Sequence, residues 1–458
     1  MNVMNRPIVR GMAPKRTGMK RAGVALTALM LLSGCGIFGG GKDKGPKTPV
    51  VGERIPILVA ETGAELDPGL AGTPVLLPSE VVNDTWGQPG GNAAKSMGHL
   101  GLGARPARIW SVSIGSGSSK KARLAAGPVI AGGRVYTIDT EATVRAFSAD
   151  TGRQVWSTRV GGGENSNALF GGGVSVDGER LYATNGLGEV AALNASDGSQ
   201  IWKKRPGGPL RGAPTVANEA IYVVSQDNQM FALKASDGEQ LWTGAGTLES
   251  AGVFGMAAPA AAQGTVVAGF SSGELNAYRY ENGRVVWQDA LSRTSISTAV
   301  ASLSDIDAAP VVDQGYVFAV GQGGRMVALE LFTGQRLWEL NVAGISTPWV
   351  AGDWVFVITD DARLLCIQRT TGRIRWIAQL DRWRDEKDKK GPISWTGPIL
   401  AGNRLVAANS RGELVNVNPV DGSVAERVKN GGGIFVTPAV ANNTLYVVDD
   451  DGKLSAWR

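Results

Sequence analysis

The stretch AFSADTGRQVW, residues 146–156, sets a small residue, a turn glycine and a tryptophan at fixed distances. Its Gly-x-x-x-Trp core, Gly152 to Trp156, returns at Gly198/Trp202, Gly238/Trp242, Gly283/Trp287, Gly334/Trp338 and Gly372/Trp376. Gly422 opens a seventh copy in which Glu426 takes the place of the tryptophan. Twenty-four residues before these glycines stand Pro128, Val174, Pro214, Pro259, Pro310, Pro348 and Pro398. Six before them stand Ala146, Ala192, Ala232, Ala277, Ala328, Cys366 and Asn416. Ten before fall Gly188, Gly273, Gly324 and Gly412, with Asn228 in the same role. Offsets that hold over most of a chain mark a repeat architecture.

Each unit reads as short alternating strands, such as RVYTID, TVRAFSA and RQVWSTRV, divided by Gly, Asn and Asp turns. Roughly 40 residues with four short strands is one propeller blade. The turn glycine adopts positive φ without a Cβ penalty. The small residue leaves room for a neighbouring tryptophan, which buries on the order of 150–250 Å² and joins blade to blade. The chain stops at DGKLSAWR, which matches the unit through Pro438, Gly452 and Ala456 but lacks the last strand. A spare copy of that strand, ARIWSVSI with Trp110, lies eighteen residues before Pro128. The expected fold is therefore all-β: an eight-bladed propeller of four-stranded antiparallel blades over residues 105–458, closed by pairing N- and C-terminal strands, with no open edge left.

The net charge of +5 misleads, because residues 1–34 hold six basic residues and no acid; subtracting those six leaves −1. The ring itself offers no basic footprint for nucleic acid. Residues 1–34 read as a secretory signal: a cationic start to Arg21, then AGVALTALMLLSG, too short to span a bilayer. It ends in LSGC, with Cys35 directly after the apolar run. Residues 35–104 read as a Gly/Lys/Pro-rich tether followed by an irregular segment. The one other cysteine, Cys366, stands where five units carry alanine, so a packing role is expected rather than a redox or metal one. The lone histidine, His99, precedes the ring, and Gly-rich runs such as GGGENSN sit between strands rather than opening a helix. No nucleophile–histidine pair, metal cluster or phosphate loop can be built, and no cofactor is expected.

LSGC resembles the lipobox of bacterial lipoproteins, which implies cleavage before Cys35 and lipidation of that cysteine. Gly36 in place of aspartate then implies the outer membrane, periplasmic face. The Ala-x-x-x-x-x-Gly-x-x-x-Trp unit resembles the propeller repeat named after pyrroloquinoline quinone. Two branches carry it. Quinoprotein dehydrogenases bring a vicinal Cys-Cys pair and calcium ligands, which this sequence lacks. The other branch is the outer-membrane protein assembly factor BamB family, whose lipobox, eight-bladed ring and LSDIDAAPVV and ALELFTGQRLW segments are matched here. That resemblance implies a non-enzymatic scaffold binding the barrel-forming subunit BamA, beside other assembly lipoproteins and β-barrel clients. A quinoprotein-like enzyme and a ligand- or glycan-binding propeller are the rival readings.

Two loops carry the family's BamA contacts. One typically reads Leu-x-Leu-Arg-Gly; here it is SAGVFGMAAP, so the motif falls on Val253, Phe254 and Gly255, with Phe254 in the arginine position. The other holds paired aspartates, which fall on Asp305 and Asp307. These lie on the longest Trp-to-Pro interval of the ring, Trp287 to Pro310, 23 residues. Acids at i and i+2 of an extended chain point the same way. The pair suits either a partner contact or a brace for its own loop, and Val253 and Phe254 suit either contact or inter-blade packing. The other long interval contains DRWRDEKDKKG, residues 381–391, whose mixed charge reads as a solvated loop.

Overall fold

In a computed structural model describing residues 64–161, 171–248, 256–291 and 304–458, each unit is a four-stranded antiparallel sheet, and there are eight such sheets among the described residues. The first pairs Val129–Ala131, Arg134–Ile138, Thr143–Ser148 and Gln154–Arg159 in sequence order. The inner strand is three residues long in six blades, each starting just after the repeat proline, which cannot donate to a ladder; in the seventh, Trp395–Ala401 runs through Pro398 with a register shift between Thr396 and Ile399. Where Val174 replaces that proline, the inner strand lengthens to Gly172–Asp177. The eighth sheet has the order expected for terminal closure. Arg108–Ser113 pairs with Lys453–Trp457, and Ala107 and Arg458 exchange backbone hydrogen bonds beyond it.

The repeated Gly and Trp meet across blades, not within one. Trp110, Trp156, Trp202, Trp242, Trp287, Trp338 and Trp376 each donate the indole N–H to a backbone oxygen of the next blade, at 2.7–3.1 Å. Their rings lie on Gly152, Gly198, Gly238, Gly283, Gly334, Gly372 and Gly422, where a Cβ would come within 2.5–2.8 Å of the ring. Both the positive φ and the missing side chain are required there. On the outer strands the tryptophan is the buried position of an otherwise largely exposed strand. Cys366 is fully buried inside the sixth blade, and burial pushes its thiol pKa up, as a packing residue should behave. The charged segment 381–391 includes part of an exposed hairpin, Trp383–Asp385 with Lys390–Pro392, which charge pattern alone does not reveal.

Residues 64–104 are not a loose lead-in. They belong to the same compact unit as the ring, and residues 83–100 run once around the inner strands in blade order. Asn83 bonds the eighth blade through Asn442 N–H and Val440 O. Trp86 exchanges both backbone bonds with Ile130 of the first, and Gly87 O accepts from Val176 of the second. The Gln88 side chain pairs with both backbone groups of Val216 in the third. Ala93 and Ala94 oxygens accept from Ala261 and Val312 of the fourth and fifth. Gly98 O takes the Trp349 indole N–H of the sixth, and Leu100 bonds Leu400 and Gly402 of the seventh. The channel-facing edge of every blade would otherwise carry orphan N–H and C=O groups. This strap satisfies part of that edge in seven blades and takes a side-chain indole in the sixth. His99 serves it too: its Nε2 accepts from Asn403 N–H, so its Nδ1 carries the proton given to Pro78 O.

Candidate functional site: the channel mouth and the aspartate pair

Inner strands run from the face bearing the inter-blade connections toward the strap. The central cavity is lined on the strap side by Trp86, Pro89, Gly90 and Lys95, with Trp349, and elsewhere by the connections 125–128, 256–258, 345–347 and 435–437. Its volume is about 240 Å³. Asp307 and Gln322 line it on the rim side.

Asp305 and Asp307 do point the same way, but toward Arg211 rather than outward. Arg211 Nη2 lies 2.5 Å from Asp305 Oδ1 and 3.1 Å from Asp307 Oδ1. The Arg211 and Asp305 side chains are each 1% exposed and that of Asp307 10%. Gln322 Nε2 donates to Asp307 Oδ2 at 2.8 Å, and its backbone N–H to Asp305 O at 2.9 Å. Ile306, between the acids, seats on Gly269 of the fourth blade, where a Cβ would meet its Cγ2 at 2.5 Å. Arg211 precedes the third blade and the aspartates precede the fifth, so one guanidinium ties those two connections together, while Ile306 seats the same segment on the fourth blade. Among the described residues Arg211 Nε and Nη1 and Asp305 Oδ2 have no partner.

Two buried carboxylates share one guanidinium, which leaves a net negative cluster. Burial, then the neighbouring Asp305, pushes the Asp307 pKa up from 3.8 to about 6, against the pull of Arg211. The folded pKa lies above the ordinary one, so between pH 4 and about 6 the folded chain holds a proton that the unfolded chain has lost. The stability this proton contributes is present at low pH and is lost as pH rises through about 6. Replacing Asp307 by Asn removes the titration. The Asp307→Asn chain should therefore gain roughly 2–3 kcal/mol relative to wild type between pH 4 and neutral pH. Urea unfolding across that range tests this, and a stability difference that stays flat with pH would count against it.

Sequence reasoning located the pair and missed its partner. The signal was present: Leu210-Arg211-Gly212 carries the Leu-Arg-Gly ending expected one blade later, where Phe254 stands. The guanidinium missing at that position is supplied to the aspartates by Arg211. Val253, Phe254 and Cys35 lie outside the described residues. Among those described, no group of three or more His, Cys, Asp or Glu is gathered to hold a metal ion.

Tryptophan-stitched four-stranded blades and terminal-strand closure define an eight-bladed β-propeller, here with a buried Asp–Arg–Asp cluster at the channel mouth. Within that class, the model of the outer membrane protein assembly factor BamB family matches residues 102–170, 141–378 and 381–457, and the chain belongs to that family. The assembly factor BamB of Salmonella typhimurium is 30% identical over 203 residues, 44% of this chain and 50% of that one. The Escherichia coli BamB is 30% identical over 201 residues, 44% and 49%. The match thus spans about half the length of these relatives. In fold, the crystal structure of BamB from Moraxella catarrhalis superposes with a TM-score of 0.66 at 19% identity, covering 77% of this chain and 99% of that one. A quinohemoprotein alcohol dehydrogenase from Comamonas testosteroni does so at 0.64 and 13%, covering 82% and 80%.

Proposed function

We propose that the chain is a non-enzymatic scaffold lipoprotein of the outer-membrane β-barrel assembly machinery. It is anchored through lipid on Cys35 at the periplasmic side of the outer membrane. It docks on the periplasmic domains of a BamA-type subunit, beside other assembly lipoproteins, and assists insertion of barrel clients. The observation that carries this reading is family membership across the ring, with the aspartate segment on the channel-mouth face. Around that mouth Met256, Ile345 and Phe435 are exposed apolar groups on the connections ahead of the fourth, sixth and eighth blades, a rim suited to a protein partner.

In this reading the aspartates act mainly through position. Arg211 holds Asp305 inside, which fixes the backbone of 304–309. Asp307, with residual exposure, and the rim present the contact. Val253 and Phe254 supply an apolar anchor in place of the family's arginine. The alternative quinoprotein reading rests on fold likeness alone, and the Cys-Cys pair is lacking.

Co-purification from solubilised outer membranes tests the class, with recovery of a large β-barrel subunit expected. The Asp305→Ala/Asp307→Ala chain, assayed well below its melting temperature, should lose about tenfold or more of that capture, the scale of a lost hot spot. Undiminished capture by a folded variant would remove the aspartates from the docking site.

A further inference from the structure

The strap carries one group that bracing the blades does not explain. Lys95 sits at φ +64, in the left-handed region that a side-chain-bearing residue enters only under constraint. A closed turn sets that conformation: Asn92 bonds Ser96 in both directions, and Lys95 N–H donates to Asn92 O. Gly90 gives room for the lysine stem, since a Cβ there would meet Lys95 Cβ and Cδ at 3.0 Å. The turn places Lys95 among the residues that line the central cavity on the strap side. Lys95 is 1% exposed. Among the described residues its Nζ has a single partner, the Thr215 hydroxyl at 3.2 Å, and that hydroxyl is already committed to Pro259 O. A buried lysine with three donors, one neutral acceptor and no carboxylate is a costly arrangement for a structural residue.

We propose that the central channel binds a small apolar carboxylate, with its acid group on the Lys95 ammonium and its carbon skeleton against Trp86, Trp349 and Trp395. The wall supports the apolar part: indoles, prolines and alanines, together with Met256, Ile345, Phe435 and Val436, line most of it. Trp86 and Trp349, both in the cavity lining, stack with ring centroids 6.2 Å apart and an interplanar angle of 10°. A single cation supports a single negative charge. A phosphate would leave charge uncompensated among apolar groups, and the remaining charges at the rim, Arg211, Asp305 and Asp307, are engaged with one another. The volume, about 240 Å³, falls below the roughly 300 Å³ at which drug-sized sites begin, which restricts the occupant to a small molecule. Burial holds the Lys95 pKa down to about 7, and an anion at Nζ would restore its charge. This site is independent of the docking reading.

The test is calorimetric titration of the purified full-length chain with 3-phenylpropanoate and, separately, with its amide. Saturable binding of the acid, about tenfold or more tighter than the amide, is expected from a charge-assisted hydrogen bond. Lys95→Met, with circular dichroism and melting unchanged or raised, should weaken acid binding by a similar factor and leave the amide unaffected. The proposal is overturned if the acid fails to saturate, if acid and amide titrate alike, or if folded Lys95→Met binds the acid as wild type does. Should that variant not fold, the acid–amide comparison on the natural chain decides alone.

Discussion

Arg211→Ala should cost about 3–5 kcal/mol of stability, one of the two largest single-site losses expected in the ring. The buried cluster is a poor stabiliser in absolute terms, because three charges are withdrawn from water for two contacts. Removing its cation is a different matter. Asp305, 1% exposed, keeps only the partners its backbone brings, and Asp307 keeps Gln322. Two uncompensated carboxylates then face each other beside Ile306, and the fold must take up protons, admit water or open the third-to-fifth blade junction. Urea unfolding followed by tryptophan fluorescence measures the loss. A cycle identifies its source: Arg211→Met/Asp305→Asn/Asp307→Asn should recover most of it, since neutral groups of similar size replace the whole cluster. A loss for Arg211→Ala below about 1 kcal/mol, the scale of an exposed pair, would mean that the cluster is solvated.

The ring was legible in the sequence because its determinants repeat. A turn glycine at positive φ beneath an indole, a small residue paired across strands with the tryptophan and a proline at the inner strand are local demands imposed at most blades, so they recur at constant offsets. Arg211 answers a single demand between the third and fifth blades and has no counterpart to be counted. The strap was illegible for a related reason. Asn83, Trp86, Gln88 and Gly98 each meet a different blade through a different group, here a backbone amide, there a side-chain amide or a carbonyl that accepts an indole N–H. Such a path leaves neither a twofold nor a helical period. The aspartates were read correctly as a pair on one side of an extended segment. Their inward direction was not readable, because it depends on a cation 94 residues earlier in the chain.

Trp287→Ala should cost about as much, 3–5 kcal/mol, on the scale of about that size for deleting a buried indole. Trp287 is 8% exposed on the outer strand Val285–Ala290 of the fourth blade, yet its partners belong to the fifth: Leu331 O accepts its N–H at 2.7 Å, and Gly334 lies beneath its ring. Truncation opens a slot at a blade junction and orphans a carbonyl. Gly334→Ala attacks the same junction from the other side, forcing a Cβ to 2.5 Å from the ring at φ +71. If the two act on one contact, their combined loss should fall short of the sum of the separate losses. The seventh blade supplies the internal control. Its outer strand carries Glu426 at the tryptophan position, exposed and bonded to Asn416 Nδ2 at 3.0 Å. The eighth blade has no turn glycine to receive an indole, because its fourth strand is the N-terminal Arg108–Ser113. That junction is sealed instead by Trp457, with Arg108 stacked 4.8 Å over its ring. Glu426→Ala should therefore change stability by less than about 1 kcal/mol. Comparable losses at Trp287 and Glu426 would show that blade cohesion does not reside in the repeated indole.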